Sequence, residues 1–284
     1  MRQMDKAFLE ISNICNLQCS FCHGTKREKR SLTKEEFELL TDRLSGQVKY
    51  LYFHLMGEPL LHPLLPCFIE RAWAKGFRPM ITTNGTLLGQ KGEEVLKKPP
   101  YKISISLHAP AANAVFAAKH YLDDCIAFAR AAAAKGCIVA LRLWNLESAD
   151  EQSNASVLKQ LHTAFPGEWG QIRGGSSLRL APRLFLEWGK RFDWPDLNAP
   201  EHPADTDVFC YGLRDQIGIL SDGTVVPCCL DADGHLALGN LFSTPLQDIL
   251  ASPRAKAIYD GFTNHRAVEP LCRGCGYAKR FEKG

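Results

Sequence analysis

The chain has 284 residues, 45% hydrophobic and 23% charged, which excludes a disordered or fibrous protein and allows about two domains or one large α/β unit with an appendage. Lys and Arg number 34 against 31 Asp and Glu, a net charge of +3 without a long basic face, so nucleic acid is not an expected partner. The opening Met1-Arg2-Gln3-Met4-Asp5-Lys6 lacks an apolar signal core and no run reaches the ~18 apolar residues of a membrane span, so a cytoplasmic protein is expected, in which eleven cysteines point to metal rather than disulfides.

In chain order, a first strand is predicted at Ala7–Ser12, followed by Cys15-Asn16-Leu17-Gln18-Cys19-Ser20-Phe21-Cys22. Three thiolates on one short loop can hold three irons of a cubane and leave the fourth open to a reactant. A partial zinc site or unconnected buried thiols are the alternatives. The basic run Lys26–Arg30 reads as a solvated loop. A helix at Thr33–Leu44 and a strand at Val48–Leu55 lead into Met56-Gly57-Glu58-Pro59. A helix at Pro63–Lys75 precedes the strand Arg78–Thr83, which runs into Asn84-Gly85. Gly89 and Gly92 weaken the next helix, Leu88–Lys97. There follow a strand at Lys102–Leu107, a helix at Tyr121–Lys135, a strand at Ile138–Trp144, a helix at Asp150–Phe165 and a sixth strand within Leu178–Trp188. Such alternation implies parallel βαβ units with helices outside.

Strand parity adds a detail. Ile103, Ile105 and Leu107 share one face, whereas Ser104, Ser106 and His108 share the other. Glu10 and Ser12 oppose Leu9 and Ile11, Tyr52 and His54 oppose Leu51 and Phe53, and Arg142 opposes Leu141 and Leu143. One polar face on each of four strands is expected if a polar ligand fills the interior, and a one-residue register error would reverse the reading. Arg142 suits a carboxylate or a structural ion pair, and Asn145 a ligand or a helix N-cap.

From Trp194 the character changes. Asp193–Asp207, with Pro195, Pro200 and Pro203, reads as a linker. A hairpin is predicted from Ile217–Leu220 and Thr224–Pro227 around Asp222-Gly223, then short helices at Leu246–Leu250 and Arg254–Tyr259. The hairpin turn brings Cys228 back toward Cys210, and Cys272 and Cys275 complete a four-thiolate set that would suit an iron–sulfur cluster or a tetrahedral zinc. Cys229 reads as packed, with substitution for Cys228 as the alternative. Cys67, Cys125 and Cys137 read as structural thiols.

The first cysteine run, with Phe21 before its last member, resembles the signature of the radical S-adenosylmethionine superfamily. Met56-Gly57-Glu58-Pro59 resembles the family's GGEP motif with Met for the first glycine, Thr83-Asn84-Gly85 its TNG turn, and Ser106-Leu107-His108-Ala109 its ribose-contacting strand end. The C-terminal cysteines resemble its SPASM/twitch extension, in the shorter form with one auxiliary cluster. The resemblance implies a partial (β/α)6 TIM-type barrel over 1–193, a linker at 194–209, and a small α+β iron–sulfur domain of hairpin and helix at 210–284. It implies Cys15, Cys19 and Cys22 as ligands of a 4Fe–4S cluster that binds S-adenosylmethionine, and Cys210, Cys228, Cys272 and Cys275 as ligands of one auxiliary 4Fe–4S cluster. Phe21, Met56, Gly57, Glu58, Pro59, Asn84, Ser106 and Arg142 are the expected cofactor contacts. The implied activity is reductive cleavage of S-adenosylmethionine to a 5′-deoxyadenosyl radical that takes a hydrogen atom from substrate. Oxidation, cross-linking or other modification of a peptide or protein side chain leads, with dehydrogenation or rearrangement of a small polar molecule such as an amino-cyclitol second. Only 14 residues precede Cys15, which shifts weight toward a small molecule or a separately recruited peptide. Flavodoxin or ferredoxin is the expected electron donor. A non-catalytic iron–sulfur or zinc module is the competing class, and the cofactor-contact motifs speak against it.

Overall fold

The computed structural model describes residues 4–113, 120–148, 151–169, 177–198 and 207–281; Asp150, Pro200 and Pro203 lie outside them. Parallel strands β1 (Lys6–Leu9), β2 (Tyr50–Tyr52), β3 (Arg78–Thr83), β4 (Lys102–Ser106) and β5 (Ile138–Leu146) alternate with helices α1 (Lys34–Leu44), α2 (Leu65–Ala74), α3 (Leu88–Val95) and α4 (Tyr121–Ala134). Helix α5 (Asn154–Ala164) crosses to an antiparallel pair, β6 (Ser177–Ala181) and β7 (Leu184–Lys190), of which β7 lies parallel to β5 as the sixth barrel strand. The single strand expected within Leu178–Trp188 is therefore two strands joined by a tight turn at Arg183, whose φ is 62°.

The C-terminal hairpin, β8 (Gln216–Ile219) and β9 (Thr224–Val226), is not a detached appendage. Strand β8 lies parallel against β1, with Ala7 beside Ile217 and Leu9 beside Ile219. With β10 (Gly239–Asn240) it extends one ten-stranded sheet, in the order β10-β9-β8-β1-β2-β3-β4-β5-β7-β6. Helices α6 (Leu246–Leu250), α7 (Pro253–Thr263) and α8 (Pro270–Arg273) complete this end.

Local chemistry explains the elements. Thr33 caps α1 in a reciprocal box with Glu36, worth about 1 kcal/mol. The apolar side of α1 buries Phe37, whose ring stacks on Phe68 of α2 at 4.0 Å. Helix α3 forms despite its glycines because α4 needs them: a Cβ on Gly89 would meet the Asp124 carboxylate at 2.4 Å and one on Gly92 the Phe128 ring at 2.7 Å. Their cost in helix propensity is offset by close helix–helix packing. The parity reading matches the structure. Leu9, Leu51, Ile103, Ile105, Leu141 and Leu143 are buried in the main apolar core, while Phe8, Tyr52, His54, Thr82, Arg142 and Trp144 line a cavity on the other face.

Candidate functional site

The cysteine loop leaves β1 at the C-terminal end of the sheet. Cys15 and Cys22 are exposed and Cys19 is half-buried. The loop is held from outside by the segment after β4: Ser20 N–H donates to the Ala112 carbonyl at 3.0 Å and Gln18 N–H to Asn113 Oδ1 at 2.9 Å. Asn113 in turn directs its amide N–H at Cys19 Sγ, 3.0 Å away, and Leu17 N–H lies 3.5 Å from Cys15 Sγ. Burial and then the neighbouring Cys22 push the Cys19 thiol up to about 11. Burial, with lesser contributions from Glu58 and Cys22, raises Cys15. Thiols that crowd one another and receive N–H donors are suited to stay ionised once iron supplies the compensating charge. The loop therefore fits a cubane with three protein ligands. Among the described residues no three His, Cys, Asp or Glu side chains close around a single metal ion; a cubane requires one thiolate per iron and spreads its ligands more widely.

The Met56–Pro59 turn packs directly on the cysteine loop. Glu58 N–H donates to the Ile14 carbonyl at 2.8 Å, and Gly57, at φ 80°, lies so close to the Ser12 carbonyl that a Cβ would stand 2.3 Å from it. Glycine is thus required here on two grounds, conformation and space. Glu58 is buried and its carboxylate faces inward. It accepts from the Thr83 hydroxyl at 2.7 Å, Asn84 N–H at 2.7 Å and Leu60 N–H at 3.0 Å, tying the end of β2 to that of β3. Asn84 Oδ1 accepts from Thr86, and its amide donates to Asn16 Oδ1 at 2.9 Å, within the cysteine run. Both side chains organise the rim on which a cofactor would rest. Phe21 lies 5.1 Å from the His108 ring, with Arg191 over its face at 4.8 Å. Ser106 ends β4 on the inner face. Asn145 is not a helix cap: it forms a reciprocal buried amide pair with Asn154, at 3.0 and 2.9 Å.

Inside the sheet's curve is a cavity of about 270 Å³, lined by Lys6, Phe8, Tyr52, His54, Thr82, Arg142 and Trp144 from the barrel strands. Arg142 pairs with Glu187 at 3.3 Å and lies 4.4 Å from the Trp144 ring, so the ion-pair alternative is the arrangement present. The same cavity is lined by Cys210, Cys228, Cys229, Cys272 and Cys275. The cage is assembled from separate segments. Leu213 N–H donates to the Pro227 carbonyl at 3.2 Å, setting the stretch after Cys210 beside Cys228, and Cys275 follows one turn after Cys272. Burial raises all five thiols, Cys210 to about 11, Cys229 to about 12, and Cys228 and Cys272 well above the usual thiol value, with neighbouring cysteines adding to the effect on Cys210, Cys228, Cys229 and Cys272. Several thiolates in one buried space need a polycation, and an iron–sulfur cluster supplies it. Cys229 packs against Phe8, Leu55, Leu220 and Val226, while Cys210, Cys272 and Cys275 pack on the main core.

A buried ion pair links these parts. Arg27, just beyond the cysteine loop, donates to both Glu10 oxygens at 2.7 Å and to the Ala232 carbonyl at 2.8 Å. Glu10 also accepts from Ser221 N–H and hydroxyl at 3.1 and 2.9 Å, and from Met56 N–H at 3.3 Å. Asp233 accepts from Thr25 and Lys26 N–H, while Asp231 accepts from His235 and Leu236 N–H. The basic run is thus a strap between the two cysteine groups rather than a solvated loop at Arg27. Asn113 and Arg27 carry no motif that spacing could reveal; Cys19 lies 94 residues from Asn113, and Arg27 bridges Glu10, 17 residues away, to Ala232, 205 residues away. The structural thiols fall as expected for Cys125 and Cys137, which are buried, and Cys67 is half-buried.

Comparison with known proteins agrees with this geometry. Residues 9–152 match the radical SAM superfamily and residues 210–276 match SPASM, an iron–sulfur cluster-binding domain. A tungsten-containing aldehyde ferredoxin oxidoreductase cofactor-modifying protein of Pyrococcus furiosus is 32% identical over 99 residues, 34% of this chain and 27% of that one. An S-adenosylmethionine-dependent nucleotide dehydratase of Selenomonas ruminantium is 33% identical over 85 residues, 29% of this chain and 31% of that one, so the matches span about a third or less of these relatives. Among solved structures, BtrN in complex with AdoMet and 2-DOIA superposes with a TM-score of 0.62 at 17% identity, over 96% of this chain and 92% of that one. Streptococcus suis SuiB bound to precursor peptide SuiA gives 0.57 at 16%, over 98% and 71%. Such likenesses establish a shared fold, and no helix among the described residues is long and apolar enough to cross a membrane. With half of its length matched to the superfamily and a cysteine-lined C-terminal cage, this chain belongs to the radical SAM superfamily and carries a SPASM-type iron–sulfur domain.

Proposed function

We propose that the enzyme oxidises a substrate held inside the barrel, taking a hydrogen atom at the rim of the cavity and an electron at its cysteine end. The observation that carries this reading is the single cavity lined by both the barrel's inner face and the C-terminal thiols. When bound, the groups supply the hard chemistry: a 5′-deoxyadenosyl radical at the open cluster and a one-electron acceptor in the cage. The protein's part is placement. Cys15, Cys19 and Cys22 hold the first cluster, with Asn113 fixing Cys19, and the rim built by Gly57, Glu58 and Asn84 supports the cofactor beside Phe21, Met56, Pro59 and Ser106. Cys210, Cys228, Cys272 and Cys275 hold the second, and Cys229 packs on the apolar cluster of Phe8, Leu55, Leu220 and Val226. The substrate loses one hydrogen atom, one proton and one electron, and a low-potential donor such as flavodoxin or ferredoxin supplies the electron that starts each turnover. The core is taken as 1–193 and the auxiliary domain as 210–284, joined through 194–209.

The substrate reaches the cavity as one side chain of a peptide, a reading supported by the superposition on SuiB bound to precursor peptide SuiA. A small polar molecule is the second reading, favoured by the nearly full-length superposition on BtrN, whose structure holds 2-DOIA. Reconstituted, reduced protein should hold roughly eight irons, form 5′-deoxyadenosine and show one of two EPR signals altered by S-adenosylmethionine. Replacing Cys15, Cys19 and Cys22 by Ala should leave roughly four irons and only the unaltered signal. Cluster-loaded protein that forms no 5′-deoxyadenosine would overturn the reading.

A further inference from the structure

His54 lines the barrel end of the cavity and has an unmet need. Its ring meets Phe8 and Tyr52 edge-on, at 5.6 and 5.7 Å, and Nδ1 is buried with no hydrogen-bond partner. Burial, reinforced by the Arg142 guanidinium, draws its pKa down to about 3, so the ring is neutral, with one N–H and one lone pair. A buried polar atom left unpaired is costly and calls for a partner. His54 borders the cavity, and a half-turn of its ring would exchange Nδ1 with Cδ2.

The charged groups at this end already have partners. Lys6 pairs with Asp215 at 3.1 Å, and Glu187 takes both Arg142 and Lys102, at 3.3 and 2.9 Å. An incoming carboxylate would have to share a cation with Asp215 or Glu187, and an incoming ammonium would find those two carboxylates paired and Asp231 held by the His235 and Leu236 N–H groups. Much of the remaining lining is aromatic, including Tyr52, Trp144, Phe192 and Tyr277. The cysteine end is taken up by the cluster it holds. The cluster takes part of the 270 Å³, so the space left to a ligand is that of a small group.

We propose that this pocket binds an uncharged ring bearing a hydroxyl, with the hydroxyl hydrogen-bonded to His54. A hydroxyl donates and accepts, so it satisfies either tautomer of the neutral imidazole, which a carboxylate cannot. The inference rests on the barrel cavity being the substrate site and names its class of substrate.

The test uses the reconstituted holoenzyme with S-adenosylmethionine and measures binding by calorimetry, without turnover. The probes are p-cresol, toluene, 4-methylbenzoate and N-acetyltyrosinamide. p-Cresol should bind about tenfold tighter than toluene, the worth of one such hydrogen bond, and tighter than 4-methylbenzoate. His54→Phe should remove the preference over toluene, and His54→Gln should restore part of it, with iron content and the EPR response to S-adenosylmethionine unchanged in both. Binding of N-acetyltyrosinamide alongside p-cresol identifies a peptide side chain as the source; its failure with p-cresol still bound identifies a free small molecule. Equal binding of p-cresol and toluene, a preference that survives His54→Phe, tightest binding of the benzoate, or no binding by any probe would overturn the proposal. Because no oxidation is measured, failure of the proposed oxidation would leave the binding result standing.

Discussion

The two cysteine groups, which we propose hold iron–sulfur clusters, are assembled by opposite means. The N-terminal group lies on one loop, two of its three thiols are exposed, and its geometry is imposed by the neighbouring Asn113 segment and the Met56–Pro59 turn. The C-terminal group is gathered from three separate stretches of chain, and every thiol lines an interior cavity. A site that must admit a small cofactor keeps an open side, whereas a site that only passes electrons gains from enclosure, which sets its potential and excludes water. Contiguity in sequence suits the former, and convergence the latter.

The contrast can be broken by chelation. Bathophenanthroline added to reduced holoenzyme should strip the loop's iron at least roughly tenfold faster than the cage's, because the cage must first open locally. Single-phase loss of all the iron would abolish the distinction drawn here. The strap between the groups offers a second test. Arg27→Ala leaves Glu10 buried without its partner and should cost about 3–5 kcal/mol in denaturant unfolding, whereas a surface pair such as Lys97–Glu94 should cost under about 1 kcal/mol.

A smaller effect sharpens the picture of the space between the groups. His54 stays neutral when folded, with a pKa near 3, but takes up a proton when unfolded, near its ordinary value of 6.5. The unfolded state therefore binds the extra proton below pH 6.5, and this contribution is full above that pH and declines as pH falls. The wild type should lose about 1.4 kcal/mol per pH unit more than His54→Gln between pH 6 and 4. Smallest is Asn113→Ala, which removes the N–H donated to Cys19. It should lower the midpoint potential of the S-adenosylmethionine-binding cluster by an amount of order 1 kcal/mol, read by redox titration, and leave the cage's potential where it was.

Much of this was legible before any coordinates. The cysteine run, the strand-end motifs and the alternation of strand and helix are local patterns, and local patterns survive in a linear string. Parity even placed Tyr52, His54 and Arg142 on the cavity side. The rest depends on meetings between distant residues. Nothing near Glu10 announces that Arg27, Met56 and Ser221 will converge on its carboxylate. Gly89 and Gly92 look like helix breakers until Asp124 and Phe128 occupy the space above them. Glu58 and Asn84 sit where the motif puts them, yet their side chains brace the rim, a role that only the hydrogen bonds of Thr83, Leu60 and Asn16 disclose.

The pairing of β8 with β1 bears on how the molecule is made. Residues 6–9 leave the ribosome some two hundred residues before their lateral partners at 216–219. Until then one side of the first strand is an unsatisfied edge, a surface prone to wrong pairings. A contact of such sequence separation also forms slowly. The chain must therefore be made through residue 219 before the strand that feeds the first cysteine loop is secured on both sides, so durable iron loading there waits for the C-terminal hairpin.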